Sequence, residues 1–510
     1  MNLRKVLLPL LLTLLLLLSS CGIVIINDKD SETTVAETIP DPLRTEETTA
    51  APPETEPSDT TADTTGTAET LPGVEYTPIP SYDYRADARV MLDGLPEKDL
   101  EGFAVNIFAT SADSYIPGDA DNEINDARLE RNLMFEERYN TKVMCTTYPL
   151  ETLIEQTRMA ILTDTYYCDL LSIPLYSLGS FAASDSLLNL RSLPYVDFDA
   201  PYFNQDAINA ATAGNYIYAA LGDANLNENF MYCVYFNRGK AERLGIKNLY
   251  KLAESGDWTW DKLAEYAKLS ASVNGSLGFD STLGRNGMID ALFTSTGTQM
   301  TVTQKDARPT LNTDTAKFGE ITQKIKSFLT AENGYTADPG NALGNFYGGK
   351  ALFFIERLTV APWINDMRDN WGILPLPKYD SAQAEYSTYM DPAQPVFAVL
   401  ANNADIAMTA HILMGYNAAS YGFIADEYRN TLMYRTLRDN NSVNMLDYIT
   451  ANPYFDFANM FGNMHQQVSS ATVQAIRDAV DGYTYQTYYN ARKPYFDYRM
   501  QVVFELYSVS

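Results

Sequence analysis

The chain has 510 residues, with 65 Asp and Glu against 37 Lys and Arg, a formal net charge of −28. That balance excludes the basic face a nucleic-acid partner needs. With two histidines, His411 and His465, a His-rich metal site is excluded and a His-based catalytic triad is unsupported, so neither metal nor cofactor is expected. The 35 Tyr and 22 Phe suit stacking on sugar rings, and equally suit ordinary amphipathic packing.

Arg4 and Lys5 precede a dense apolar run, Val6 to Leu18. A basic region followed by a short apolar one is the pattern of a secretory signal, and the run is short for a membrane span. It ends in Leu18-Ser19-Ser20-Cys21-Gly22, which resembles the bacterial lipoprotein box. The resemblance implies a signal peptide over 1–20 and a mature N-terminus at Cys21. Its thiol would carry diacylglycerol and anchor the chain to the membrane.

Residues 21–100 then form an acidic, Thr- and Pro-rich segment whose only basic residues before Pro80 are Lys29 and Arg44. Low hydrophobicity and charge of one sign leave nothing to offset the entropy of ordering, so a disordered tether is expected up to about Tyr84 and beyond. Such a chain reaches roughly 45 Å on average.

From Glu101 the pattern changes. Phe103 to Ala109 reads as a strand, Ile124 to Tyr139 as a helix and Lys142 to Tyr148 as a strand. Leu150 to Leu162 reads as a helix and Asp169 to Ile173 as a third strand. Alternation of this kind predicts an α/β fold, a mainly parallel sheet flanked by helices. Ligands bind beyond the carboxyl ends of such strands, which singles out the loops at Asp113 and Tyr176. Gly214 to Asp223 reads as a hairpin. Ala224 to Phe230, with Asn225, Asn227 and Glu228, reads as a connection to a second lobe.

Met231 to Phe236 is an apolar run of aromatic and β-branched character, a buried strand. Asn237-Arg238-Gly239 turns it into a helical pattern ending near Gly245, and a second helix covers Asn248 to Glu254. Thr259 stands where it would cap a third helix, with Trp260, Leu263, Ala264 and Ala267 on one face. Asn274 to Gly287 reads as loop and Thr315 to Leu329 as helix. Phe346 to Phe354 is a glycine turn into an apolar strand, and Trp371 to Pro377 an extended, proline-stiffened segment. Val396 to Leu400 is a further strand, with helices from Ala404 onward.

The order of these blocks resembles the family 1 extracellular solute-binding proteins, the carbohydrate-type receptors of ABC importers. The residues that carry the resemblance are Tyr235-Phe236-Asn237-Arg238, Leu244-Gly245, Thr259-Trp260-Asp261-Lys262-Leu263, Gly349-Lys350-Ala351 and Trp371 to Pro377. It implies a two-lobed periplasmic-binding-protein-like fold with an interlobe cleft. Residues 101–223 with 374–415 would form one lobe, and 224–373 with 416–510 the other.

It also implies a carbohydrate ligand, delivery to the permease subunits of an ABC importer, and a place on the outer face of the bacterial cytoplasmic membrane. The protein would act as a monomer and not as an enzyme. A surface glycoside hydrolase or lyase, and a polysaccharide-binding lipoprotein without transport, stand as alternatives. Candidate cleft residues are Asp113 and Tyr176 at strand ends, and Glu356 and Arg357 after the Gly349-Lys350-Ala351 strand. Asp391 and Tyr389 flank the return crossing, Asp223 precedes the first crossing and Glu228 lies within it, and Trp363 would stack on a sugar or cap a helix.

Besides Cys21 there are Cys145, Cys168 and Cys233, each in or beside an apolar strand, so buried thiols are expected, with a Cys145–Cys168 bridge as an alternative. No Gly-rich phosphate loop, His-Glu-x-x-His or Gly-x-Ser-x-Gly occurs. Asp223 and Glu228 would serve as a glycosidase pair only at a defined spatial separation. The lipid site is directly testable. Cys21→Ser should give a misprocessed or soluble product without labelled fatty acid, and continued labelling would contradict the assignment.

Overall fold

The computed structural model describes residues 83–507 except 119–121, 305–307, 433–435, 438 and 463–465. Cys21, the signal segment and most of the expected tether lie outside the described residues. The tether's last part is ordered. Tyr84–Asp93 forms a helix (α1), capped by Asp83 through the Ala86 amide, with Ala88 and Leu92 buried. That corrects the expectation of disorder up to residue 100. The two apolar residues lie four apart, enough to seat a short helix on the core.

The first lobe runs β1 (Ala104–Ala109), α2 (Glu123–Tyr139), β2 (Lys142–Thr147), α3 (Leu150–Thr163) and β3 (Leu170–Pro174). β1 pairs in parallel with both β2 and β3, Ile107 lying opposite Cys145 and Leu170. Val105, Ile107 and Ala109 turn to one core face. Phe108 turns to the other, where it meets the rings of Tyr148 and Tyr167. Because β1 separates β2 from β3, Cys145 and Cys168 are not neighbours, and all three described cysteines are free thiols.

The chain crosses over residues 222–231 and enters β4 (Tyr232–Asn237), buried along its whole length. Asn237 accepts from the Lys240 amide at 2.7 Å and starts α4 (Arg238–Arg243), as its position suggests. α5 (Leu249–Glu254) and α6 (Trp260–Ala271) follow. Thr259 occupies the cap position of α6 without a side-chain cap bond; its backbone pairs instead with Lys378.

β5 (Leu277–Asp280) then lies where loop was expected. Gly278 hides this strand from a propensity reading, and the packing requires the glycine. A Cβ there would sit 1.9 Å from the Asn333 carbonyl oxygen. α7 (Gly284–Ser295), α8 (Thr315–Phe328) and α9 (Pro339–Tyr347) lead to β6 (Ala351–Arg357) and β7 (Trp371–Leu374). The second sheet has the order β7-β4-β6-β5. β6 is parallel to β5 and antiparallel to β4, and β7 is antiparallel to β4, so this sheet is mixed where a mainly parallel one was expected.

Three buried tryptophans fasten this lobe, each indole N–H satisfied. Trp258 donates to the Pro375 carbonyl at 2.9 Å, Trp260 to Ser295 Oγ at 3.0 Å and Trp371 to the Ile364 carbonyl at 3.1 Å.

The return crossing was expected at Trp371–Pro377. The chain stays in the second lobe longer, since Lys378 pairs beside Trp258 and Tyr386 donates to Ala253. It crosses at 389–394 and enters β8 (Pro395–Ala398), which joins the first sheet antiparallel to β3 and gives the order β8-β3-β1-β2. α10 (Ile406–Ala418) and α11 (Phe423–Thr431) pack on α1 and α2. The first lobe therefore extends past Gly415, the expected limit, because Phe423 is buried in its core. α12 (Asn440–Thr450) returns to β7. α13 (Phe457–Phe461) packs against the Leu175–Ser177 turn of the first lobe, and α14 (Gln466–Ala471), α15 (Val473–Asp481) and α16 (Tyr485–Tyr507) complete the chain.

The two crossings pair with each other. Tyr232 donates its amide to the Tyr389 carbonyl at 3.0 Å, and Asp391 donates to the Phe230 carbonyl at 2.8 Å. Gln394, fully buried, donates to the Asn225 carbonyl at 2.6 Å and accepts from the Asn227 amide at 3.2 Å. Gln394→Ala should orphan both buried groups and cost about 1–3 kcal/mol of stability. A urea midpoint equal to wild type would contradict this role.

Candidate functional site

A cleft of about 700 Å³ opens at the carboxyl ends of β1, β2 and β3 and is closed from the other side by the first crossing and the end of β6. The first lobe supplies Asp113 and the Ser111 hydroxyl from the β1 loop, Arg128 from α2, Tyr148 after β2 and Tyr176 after β3. The crossing supplies Asn227, Asn229 and Phe230, and the second lobe Arg357 and Thr359. Side chains that stack therefore stand among side chains that hydrogen-bond.

The loop geometry has local causes. Asp113 donates its amide to Ser111 Oγ at 3.2 Å, which folds the loop tip. Beneath it, Arg131 is fully buried and donates to the Ser114 and Tyr115 carbonyls at 3.0 and 2.9 Å. Tyr176 donates its amide to the Pro392 carbonyl at 3.0 Å, so this cleft wall is fixed to the return crossing.

A smaller pocket of about 180 Å³ shares Tyr176 with the cleft. Tyr389 and Tyr454 line it together with the ion pair of Asp290 and Arg477, whose Nε lies 3.0 Å from Asp290 Oδ1. Burial pushes the Asp290 carboxyl upward while the guanidinium opposes that shift.

Of the nine residues picked from the sequence, Asp113, Tyr176 and Arg357 line the cleft. Asp391 stands behind Arg357, its Oδ2 3.4 Å from Nη1 and 3.3 Å from the Tyr232 hydroxyl. Tyr389 is buried against Tyr232 and faces the smaller pocket. Glu356 does not line the cleft. It is 1% exposed, accepts from Thr282 Oγ1 and holds the Arg357 amide at 2.9 Å. The two side chains leave β6 on opposite faces, the ordinary alternation of a strand, although Glu356 Oε1 reaches back to 3.5 Å from Arg357 Nε.

Trp363 is 60% exposed in the 3-10 turn Leu358–Ile364, away from the cleft lining. Asp223 accepts from the Gly422 amide at 2.7 Å, and Glu228 is buried beside a separate pocket of about 220 Å³ near Tyr428. Neither of these carboxyls lines the cleft. Arg128, Tyr148 and Phe230 were not picked from the sequence. Tyr148 follows β2 as Tyr176 follows β3, so the strand-end rule that found one applied to the other. Arg128 lies in a helix, where no pattern distinguishes it from a solvated cation.

Among the described residues, no group of three or more His, Cys, Asp or Glu is arranged to hold a metal ion, and no helix is long and apolar enough to cross a membrane.

Burial pushes the Asp223 and Glu228 carboxyls up to about 7, with the charge of Glu228 adding to the shift at Asp223 and the Gly422 amide opposing it. Both groups hold protons more tightly folded than unfolded. Their contribution to stability is present below pH ~4 and is lost as pH rises towards 7. Asp223→Asn combined with Glu228→Gln should therefore lose less melting temperature than wild type between pH 4 and 8. Parallel profiles would contradict the burial of these charges.

No protein-family model and no curated protein sequence matches the chain. Solved structures do. An ABC substrate-binding protein from Listeria monocytogenes in complex with cycloalternan is 14% identical with a TM-score of 0.50, covering 78% of this chain and 99% of that one. A cyclic α-maltosyl-1,6-maltose binding protein from Arthrobacter globiformis is 14% identical with a TM-score of 0.53, covering 77% and 97%. The galacto-N-biose/lacto-N-biose I-binding protein of a Bifidobacterium longum ABC transporter is 13% identical with a TM-score of 0.51, covering 78% and 98%. This chain has the two-lobed, periplasmic-binding-protein-like fold of those proteins.

Proposed function

We propose that the chain is an extracytoplasmic carbohydrate receptor of an ABC importer, anchored through Cys21, which binds its ligand in the interlobe cleft and presents it to a permease. The observation that carries this reading is the lining of the cleft. Tyr148, Tyr176 and Phe230 offer apolar faces beside hydroxyl, amide and charged groups drawn from both lobes and the crossing. Sugar rings have that duality, an apolar face and a hydroxyl rim. The solved structures of this fold support the reading, since the names of three of them describe complexes with, or binding of, oligosaccharides.

Ligand binding then works through closure. Groups from the two lobes contact the ligand together only when the lobes approach, so the ligand shifts the equilibrium towards the closed form. The residues proposed to contact it are Asp113, Tyr176 and Arg357, with Asp391 holding Arg357 in place. The proposed lobes are discontinuous, with crossings near 222–231 and 389–394. A glycosidase reading has less support, because the two carboxyls that would form its pair are buried outside the cleft.

A thermal-shift screen of oligosaccharides identifies the ligand, since a cleft ligand stabilises the folded state by mass action. Tyr176→Ala should then weaken binding roughly tenfold to a hundredfold by calorimetry, about 1–3 kcal/mol, with the fold intact. Glu356→Ala should lower the melting temperature instead. Wild-type affinity in Tyr176→Ala would place the site elsewhere.

A further inference from the structure

Among the described residues, the cleft lining carries three charged side chains, and two of them are arginines in a chain of net charge −28. They come from opposite lobes. Arg128 projects from α2, and Arg357 stands at the end of β6. Neither has its donors filled. Arg128 donates from Nη1 to Asn125 Oδ1 at 3.1 Å, and its Nε is buried without an acceptor. Arg357 has carboxylate oxygens of Glu356 and Asp391 at 3.5 and 3.4 Å, yet its Nε is likewise buried without a hydrogen bond.

A guanidinium has five N–H donors in a planar fork matched to an oxyanion. Arg357 is already balanced by two carboxylates. Arg128 has no carboxylate in ion-pair contact among the described residues; the neighbouring Arg131 adds positive charge, which the exposed Asp113 and then Tyr416 oppose. Burial and Arg131 together push the Arg128 guanidinium down to about 10, so its charge is held at a cost. Closing the cleft would take it further from water and raise that cost, unless the ligand brings a negative charge.

Building on the carbohydrate reading, we infer that the ligand is an anionic sugar, carboxylated or sulfated, whose oxyanion sits between Arg128 and Arg357 and bridges the lobes as they close. The acidity of the chain does not oppose this. Charges more than about 8 Å away are screened at physiological salt, and the two guanidiniums act at contact.

The test is calorimetry on the full chain with three trisaccharides of equal length, namely a neutral hexose trimer, a uronate trimer and a sulfated trimer. Either anionic trimer should bind at least tenfold tighter than the neutral one, and the anionic trimer that binds identifies the oxyanion. The preference should shrink with added salt. Arg128→Gln should cut the anionic-to-neutral affinity ratio at least fivefold, and Arg357→Gln gives a second reading should the first variant be unstable. Equal or tighter binding of the neutral trimer, or an unchanged ratio in both variants, overturns the inference and leaves the carbohydrate receptor standing. Binding of no trimer, neutral or anionic, overturns both.

Discussion

The structure depends on one short piece of antiparallel pairing, Phe230 to Tyr232 against Tyr389 to Asp391, where the chain leaves the first lobe and comes back. Two backbone hydrogen bonds and the buried Gln394 amide join these segments. One wall of the cleft is referred to them. Tyr176 hangs its amide on Pro392, Asp391 faces Arg357, and Asn227, Asn229 and Phe230 line the cleft. Two paired extended segments can bend together without losing their mutual hydrogen bonds, which suits a joint between rigid bodies.

Around that joint the chain buries polar groups in pairs. Tyr428 donates to Asn229 Oδ1 at 2.7 Å and Gly422 to Asp223, so α11 and its cap are fastened to the first crossing. Asp456 gathers the Met300, Thr301 and Ala458 amides and fixes the start of α13 against α7 and its following turn. A buried carboxyl without such donors would be costly.

Much of the fold is legible in the sequence because its strands are continuous apolar runs bounded by clear turns. Tyr232–Asn237 and Leu170–Pro174 fall within a residue of their expected limits, while Ala351–Arg357 runs three residues past the expected end at Phe354. β5 is not legible, since Gly278 weakens the pattern while close packing demands it. The return crossing was misplaced for a related reason. The prolines of Trp371 to Pro377 suggest a linker, yet Trp371 is a core residue and β7 an edge strand, a position that tolerates nearby proline. Position at a strand's end leads to Asp113 and Tyr176, which line the cleft. Strand parity, which separates Glu356 from Arg357, needs a register that the sequence does not state.

The central claim is that this cleft closes on a sugar about the paired crossings. Small-angle X-ray scattering during a titration with the oligosaccharide found by screening tests it most directly. The account predicts a fall in radius of gyration that saturates with the same midpoint as binding. Saturable binding with an unchanged radius of gyration would contradict it.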